Sequence, residues 1–204
     1  MKKILKRIAL WFSIAAVSPV LVGVSLGRLV WGEKRAFESG AQWLAMIPGN
    51  LGNALRGAYY YCRLASFDPT ARICMGSVIC DPRSEIGSHV YIGTFCEMGW
   101  VSIGKDTLIA SRVMIPSGKR VHHYEDLAVP IRMQGGSPEC VVVGEDCWVG
   151  TGCIVMANVG DKAVVGAGAV VVKQLPPASL SVGNPARVLR MRSGTPDLEP
   201  GSAS

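Results

Sequence analysis

Apolar residues recur at a six-residue spacing over residues 86–172. In each unit an aliphatic residue comes first, a small residue second, and another small or β-branched residue fifth. The units read IGSHVY at 86, IGTFCE at 92, IGKDTL at 103, IASRVM at 109, VGEDCW at 143, VGTGCI at 149, VGDKAV at 159 and VGAGAV at 165. A unit of six residues is too short to bury its own apolar side chains, so neighbouring units must stack.

This period predicts a parallel β-helix with three short strands per turn and a column of Ile and Val inside. Ile73 and Ile79 extend the column upstream. The glycine that follows the aliphatic residue is expected at a tight corner, where it tolerates a positive φ. The spacing departs from six within Met98–Ile103 and within Val155–Val159. At both places we expect a bulged or shortened coil.

The N-terminus reads MKKILKR and is followed by an uncharged stretch, Ile8–Gly27, that is just long enough to cross a bilayer. No small-x-small cleavage site follows it. Basic residues flank both ends, so the positive-inside rule gives no orientation, and Ser18-Pro19 interrupts the middle. We therefore expect residues 1–35 to form a membrane anchor, with a spanning and a re-entrant arrangement both open.

Residues 36–67 predict a second helical element. AFESGAQWLAMI has the period of an amphipathic helix, Pro48-Gly49 breaks it, and LGNALRGAYYYCRL follows. Tyr59–Tyr61 with Arg56 and Arg63 suit a membrane interface, where rings lie at headgroup depth and arginines meet phosphate. A helix that packs across the open end of the β-helix is the alternative, and both interpretations stay open.

The segments VVVGEDCWVGTGCIV and VGDKAVVGAGAVVVKQLPPASLSVGNPARVLRMR resemble the C-terminal coils and closing segment of the hexapeptide-repeat acyltransferases, in particular membrane-associated sugar O-acetyltransferases of polysaccharide biosynthesis. The resemblance covers residues 70–192. It implies an all-β, left-handed parallel β-helix that assembles as a homotrimer. We place this domain at residues 68–192 and expect residues 193–204, SGTPDLEPGSAS, to be a flexible tail.

The resemblance also implies an activity. The donor would be acetyl-coenzyme A (acetyl-CoA), and the acceptor would be a hydroxyl of a sugar or lipid-linked glycan in cell-surface or exopolysaccharide biosynthesis. With the anchor at residues 1–35, the expected location is the cytoplasmic face of the bacterial inner membrane. Acyl transfer to an amino sugar, serine or a xenobiotic stays open, as does a non-catalytic β-helix scaffold.

The repeat is interrupted once at length, by the loop 116–142, which contains PSGKRVHHYEDLAVPIRMQGGSPEC. A loop this long in a compact fold is usually functional. Acyl transfer from a thioester to a hydroxyl needs a base that works near neutral pH, and histidine suits that role. The resemblance places the catalytic histidine at His122, with His123 as the alternative.

Further site residues follow from the same reasoning. On the substrate side, an acidic residue would hold the imidazole in the required tautomer; the candidates are Glu97, Glu125 and Asp126. On the donor side, small residues let the pantetheine arm approach the backbone, and cations suit the phosphates of coenzyme A. By these arguments and by the resemblance, the donor residues are Gly150, Thr151, Ala167, Gly168, Lys173, Arg187 and Arg190.

Composition and residue spacing argue against nucleic-acid binding, disulfide bonds and a metal site. The net charge of +6 comes from basic residues near the N-terminus and in the closing segment, without the aromatic and basic stripe typical of nucleic-acid binding. The seven cysteines form no CxxC pair, and Cys96, Cys147 and Cys153 fall in interior positions of the repeat, so we expect reduced thiols. A catalytic zinc needs three protein ligands, which the three histidines supply poorly. No metal is expected.

Overall fold

The computed structural model describes residues 2–192, with side chains from Ile8 onward. The predicted tail at residues 193–204 and the basic side chains before Ile8 lie outside the described residues. Three helices precede the β-helix: α1 Lys2–Trp31, α2 Glu33–Ala45 and α3 Gly49–Arg63. We call α1, α2 and α3 together the helical base.

Short strands follow, and they stack into three flat faces. In chain order they are β1 Ser66–Phe67, β2 Arg72–Ile73, β3 Val78–Ile79, β4 Glu85–Ile86, β5 Tyr91–Ile92, β6 Glu97–Met98, β7 Val101–Ile103, β8 Leu108–Ile109, β9 Met114–Ile115, β10 Val141–Val143, β11 Trp148–Val149, β12 Ile154–Val155, β13 Val164–Val165, β14 Val170–Val171, β15 Ser179–Val182 and β16 Arg187–Met191. Face 1 has the order β1-β4-β7-β10, face 2 the order β16-β15-β13-β11-β8-β5-β2, and face 3 the order β14-β12-β9-β6-β3. The predicted left-handed parallel β-helix is confirmed, and β16 closes face 2 as an antiparallel strand.

The interior is the predicted aliphatic column. On face 2 the residues paired from coil to coil are Ile73, Ile92, Ile109, Val149 and Val165, and all are almost fully buried. Burying one such side chain contributes roughly 1.5–3 kcal/mol, so the column accounts for much of the stability of the β-helix. The irregular spacings are accommodated locally. The strand at Val101–Ile103 has three residues, and Val159 joins its neighbours only through isolated bridges.

The glycine at the second repeat position has a different role from the one expected. The left-handed backbone falls two residues later, for example at His89 with φ 58° and Asp106 with φ 59°. The second-position glycine instead lets adjacent coils approach, because a Cβ on Gly150 would lie 2.6 Å from the backbone nitrogen of Ala167. The expectation of a positive φ at this position is therefore wrong, and close backbone contact is the reason for the glycine.

Two tyrosines of α3 lie under the open end of the β-helix. Tyr59 and Tyr60 are fully buried beside Phe37, with ring centroids 5.5–6.2 Å apart. The Tyr59 hydroxyl donates to the Phe37 carbonyl at 2.7 Å, and the Tyr60 hydroxyl accepts the Ile79 N–H at 2.9 Å. Burial raises the pKa of both hydroxyls. These rings cap the aliphatic column, whereas Tyr61 is exposed.

Arg56 joins the helical base to the first coil. Its guanidinium is fully buried and donates to the carbonyls of Leu44, Ile47 and Ile73 at 2.8–3.0 Å and to Asn53 Oδ1 at 2.7 Å. The first two carbonyls lie at or just past the end of α2, where a helix leaves its last acceptors without intrahelical donors. Burial lowers the pKa of Arg56. Arg56 therefore ties the end of α2 to α3 and β2, away from any headgroup phosphate.

Helix α1 is continuous through Pro19 and packs against α2 and α3. Its buried stripe contains Val17, Val24 and Gly27, while the opposite stripe is exposed. Among the described residues, α1 is the one helix long and apolar enough to cross a membrane, over Ile8–Trp31. Core helices of soluble proteins and signal sequences meet the same criterion.

Candidate active site

The long interruption of the repeat forms a paired arm. It leaves the β-helix after β9 on face 3 and returns at β10 on face 1. Backbone hydrogen bonds join its two limbs: Glu139 N–H to Ser117 O at 2.9 Å, Ser137 N–H to Arg120 O at 2.7 Å, and His123 N–H to Gly135 O at 3.0 Å. We call residues 116–140 the arm, since Val141 already belongs to β10.

The tip of the arm is held by one side chain. The Gln134 amide donates to the carbonyls of Asp126 and Val129, both at 2.7 Å, and accepts the Asp126 N–H at 3.2 Å. The Asp126 carboxylate accepts the Ala128 N–H at 2.9 Å. Asp126, an expected substrate-side residue, is thus engaged in shaping the tip.

The two candidate histidines are adjacent but differ in their surroundings. His123 is half-buried, with Nε2 3.1 Å from Ser137 Oγ and Nδ1 4.0 Å from Glu125 Oε2. His122 is exposed, and within residues 8–192 no hydrogen bond or ion pair holds its ring. The geometry therefore fixes the orientation of His123 and leaves the His122 imidazole able to meet a substrate.

The other expected acids lie at different places. Glu125 accepts the Tyr124 N–H at 3.0 Å and pairs with Arg120 at 3.2 Å, and these interactions lower the pKa of Glu125. Glu97 is exposed on β6 and pairs in register with Met114, just before the arm. Of the three acids, Glu125 is the one near a histidine ring.

The expected donor residues occupy three neighbouring regions. Gly150, Thr151, Ala167 and Gly168 lie on the corner between faces 2 and 3, where the Gly168 N–H donates to the Thr151 carbonyl at 2.9 Å. Lys173 lies just after β14, at the corner where the chain leaves face 3. The remaining two residues, Arg187 and Arg190, lie on β16. A single strand of face 3, β14, therefore separates the corner with small residues from Lys173.

Lys119 is a residue that sequence reasoning missed. Its Nζ donates to the carbonyl of Val172 at 3.0 Å, across 53 positions of sequence. The contact brings the base of the arm, with its cation, beside Lys173. Its location just inside the arm was visible in PSGKRVHH, but its closeness to the last coils depends on the stacking.

Trp100 and Arg83 were missed as well. The backbone N–H of Trp100 donates to Ser117 Oγ at 2.8 Å, directly at the base of the arm. The Arg83 guanidinium lies 3.8 Å from the centre of the Trp100 ring, a favourable cation–π distance, and pairs with Asp81 at 2.7 Å. An aromatic ring and a charged pair thus lie on the side of the arm that faces the helical base.

The cysteines lie where the repeat predicts small apolar groups. All seven are free thiols, and Cys96, Cys147 and Cys153 are buried in the column. Burial raises the pKa of these three thiols. Within residues 8–192, no group of three His, Cys, Asp or Glu side chains is placed to hold a metal ion.

The hexapeptide β-helix interrupted by one long arm resembles the hexapeptide-repeat acetyltransferases, and comparison with curated proteins supports this resemblance. Galactoside O-acetyltransferase of Escherichia coli strain K12 is 32% identical over 117 residues, which cover 51% of this chain and 55% of the relative. A protein of the same strain, provisionally named as the colanic acid biosynthesis acetyltransferase WcaF, is 32% identical over 121 residues, which cover 55% of this chain and 61% of the relative. This chain thus spans just over half to about three fifths of these relatives' lengths. No family model matches the chain.

Solved structures share the fold. The maltose O-acetyltransferase from Clostridium difficile 630 superposes with a TM-score of 0.68 at 21% identity, covering 79% of this chain and 87% of that chain. A hexapeptide-repeat acetyltransferase from Vibrio cholerae O1 biovar eltor, solved with acetyl-CoA, superposes with a TM-score of 0.65 at 24% identity, covering 77% and 87%. The resemblance to the hexapeptide-repeat acetyltransferases is confirmed.

Proposed function

We propose that this chain transfers an acetyl group from acetyl-CoA to a sugar hydroxyl in cell-surface or exopolysaccharide biosynthesis. The observation that carries the proposal is the Lys119–Val172 contact, because it puts the base of the histidine arm beside the coil edge that bears Lys173. The names of the two Escherichia coli relatives support a sugar acceptor, and the Vibrio complex supports acetyl-CoA as the donor.

In the proposed reaction, His122 is the general base. The sugar hydroxyl oxygen attacks the thioester carbonyl carbon while the imidazole takes the hydroxyl proton. The tetrahedral intermediate then expels the coenzyme A sulfur, the C–S bond breaks, and the imidazolium returns its proton to the thiolate. The products are the O-acetylated sugar and coenzyme A with a free thiol. His123, held by Ser137 and Glu125, positions the limb that carries His122.

We propose that the arm is completed by a neighbouring subunit in a homotrimer. Leu127 at its tip is 99% exposed, and Tyr124, Ile131 and Met133 are also exposed. Apolar side chains on a projecting arm suit burial against another copy. Light scattering of the full chain in detergent should give three protomers per particle, and a monomer with full activity would rule this assembly out.

The position of the arm also suits a lipid-linked acceptor. The arm follows β9, the third strand of face 3 counted from the helical base. Neighbouring strands lie about 4.8 Å apart, so the arm begins roughly 10 Å above the first coil. If the helical base rests on a membrane, a helix layer of about 10 Å lies between the bilayer and the first coil, so the acceptor would be a lipid-linked oligosaccharide that extends roughly 20 Å from the headgroups.

The direct test is acetyl transfer by the full chain in detergent. Free thiol release from acetyl-CoA is followed with nucleotide sugars, lipid-linked sugars, amino sugars and serine as acceptors. We expect release that depends on a sugar hydroxyl, with the product carrying an O-acetyl ester. Preference for an amine acceptor would replace the proposal with N-acetylation. Absence of both release and acetyl-CoA binding would favour a scaffold.

The donor assignment predicts a specific kinetic effect. Arg187→Ala should raise the apparent KM for acetyl-CoA by about tenfold, equivalent to about 1.4 kcal/mol, because a cation that meets the coenzyme phosphates is lost. Turnover at saturating donor should change by less than about twofold, since the charge lies away from the reacting carbon. Steady-state kinetics at varied donor concentration measure both quantities.

Lys105→Ala is the matched control, because it removes an exposed cation between faces 1 and 2. Its donor KM should equal that of the unaltered chain. A large fall in turnover with unchanged donor KM in Arg187→Ala would contradict the donor assignment.

A further inference from the structure

We propose that the helical base is a monotopic membrane platform, in which α1 lies along the surface of an anionic bilayer and does not cross it. This surface lies on the helical base, outside the arm, and its proposed role does not depend on acetyl transfer.

The packing of α1 extends along its length. Helix α1 packs against α3, and near its beginning Ala9, Leu10 and Ser13 form one wall of an open groove of about 580 Å³, whose other walls are α3 and residues 67–72 of the first coil. Near its end, Val24 and Gly27 lie against Gly40 and Ala36 of α2. Helix α2 in turn meets the first coil, where the Gly76 N–H donates to the Ala45 carbonyl at 2.8 Å.

These contacts are incompatible with a helix that crosses a bilayer. From Leu10 to Gly27 an α-helix rises about 26 Å. Packed helices lie 8–10 Å apart, so over this whole distance α1 remains within about one helix layer of the first coil. A crossing helix would carry one end through about 30 Å of hydrocarbon. It would then draw the packed neighbours, including Glu33 to Arg35 of α2, out of water at a cost of several kcal/mol for each charge.

The outward stripe of the helical base is apolar and aromatic. On α1 it lies opposite the buried residues Val17 and Val24. Its large exposed residues on α1 are Trp11, Phe12, Val22, Leu26, Leu29 and Val30. Soluble monomers rarely expose this many large apolar side chains along one face of a helix. Trp and Phe on the apolar side of a surface helix are typical of membrane interfaces.

The cations at both ends of α1 favour a bilayer with anionic headgroups. Four cations precede Ile8 in the sequence, and Arg28, Lys34 and Arg35 follow the apolar stretch. A helix lying flat places both groups at headgroup height on one side of the membrane. Each cation near an anionic surface contributes about 1 kcal/mol. The arrangement therefore fits phosphate-bearing, anionic lipid headgroups at both ends of α1.

Vesicle flotation tests the surface. The full chain, diluted from detergent, is mixed with vesicles of phosphatidylethanolamine and phosphatidylglycerol, or of phosphatidylcholine alone. We expect flotation with the anionic vesicles and weaker flotation with phosphatidylcholine. The double variant Trp11→Glu/Phe12→Glu should lower the floated fraction at least tenfold, because it charges the apolar stripe. Leu189→Asp, at the opposite end of the β-helix, should float like the unaltered chain.

Sidedness of labelling tests the orientation of α1. In a Cys62→Ser background, Lys3→Cys and Arg28→Cys are exposed separately to a membrane-impermeant maleimide in intact bacterial cells. Neither should react until the cells are permeabilised, after which both should. A Glu145→Cys variant on the β-helix checks that intact cells exclude the reagent.

Each contrary result overturns the proposal. A crossing helix would leave one of the two ends, Lys3→Cys or Arg28→Cys, reactive in intact cells. If no vesicle binds the full chain, and the double variant instead changes the oligomeric state, the stripe is a contact between protein copies. Equal flotation of the double variant and the unaltered chain would show that another surface binds the lipid.

Discussion

His122→Ala is expected to lower the turnover of acetyl transfer by about two to four orders of magnitude, the usual contribution of a general base. The His122 ring projects from the arm and is exposed, so its removal takes away proton transfer without opening a cavity. The melting temperature, the oligomeric state and the KM for acetyl-CoA should stay close to those of the unaltered chain. Thiol release at saturating donor and acceptor measures the effect.

His123→Ala is the matched comparison, because the two rings are neighbours on one limb. We expect a smaller loss of turnover, since His123 is held by Ser137 and its proposed role is to position the limb. The variant Ser137→Ala should reproduce this smaller loss. If His123→Ala abolishes turnover while His122→Ala preserves it, the roles of the two histidines are reversed.

The β-helix was predictable because the same apolar positions are buried in every coil. Ile92 and Ile109 fall at the same place in successive coils, and one stacking rule buries both. The reason for the second-position glycine was not predictable in the same way. A positive φ and a close backbone approach both favour glycine in a sequence, and only the 2.6 Å approach that a Cβ on Gly150 would make to Ala167 distinguishes them.

The surroundings of the candidate site were less predictable than its location. The arm was evident from the missing hexads, and both histidines were found within it. The Lys119 contact with Val172 joins segments far apart in sequence, and the pairing of Arg83 with Trp100 crosses between two coils. Such contacts depend on which corners stack above one another. A spacing rule predicts the stack, but it does not specify which polar side chains meet.

The surroundings of Arg56 could not be predicted from the sequence either. Its substitution is expected to have the largest effect on stability. Its neighbours Tyr59 and Tyr60 gave the segment the composition of a membrane interface, yet all three side chains are buried under the β-helix. The sequence pattern of an aromatic and basic helix is the same in both settings. What differs is the set of carbonyls at the end of α2, which only the folded chain brings to the guanidinium.

Arg56→Ala is expected to reduce the free energy of unfolding by about 3–5 kcal/mol, because it leaves the carbonyls of Ile47 and Ile73 without their side-chain donor and opens a cavity. For a protein of this size the melting temperature should fall by roughly 6–20 °C. Thermal unfolding in detergent, followed by circular dichroism, measures the change. Limited proteolysis should in addition show faster cleavage between α3 and β1, since the helical base is no longer tied to the first coil.

Two substitutions separate hydrogen bonding from charge. Arg56→Lys keeps the charge but offers one ammonium group in place of the planar fork, so an intermediate loss is expected. Arg35→Ala removes an exposed arginine from α2 and should leave the melting temperature within about 2 °C, as surface changes usually do. A melting temperature for Arg56→Ala equal to that of Arg35→Ala would refute the role of Arg56. Arg56 binds the carbonyl of Ile73, which lies in the first coil below Ile92 and Ile109. Loss of the Arg56 side chain should therefore loosen the first coil before it affects the arm.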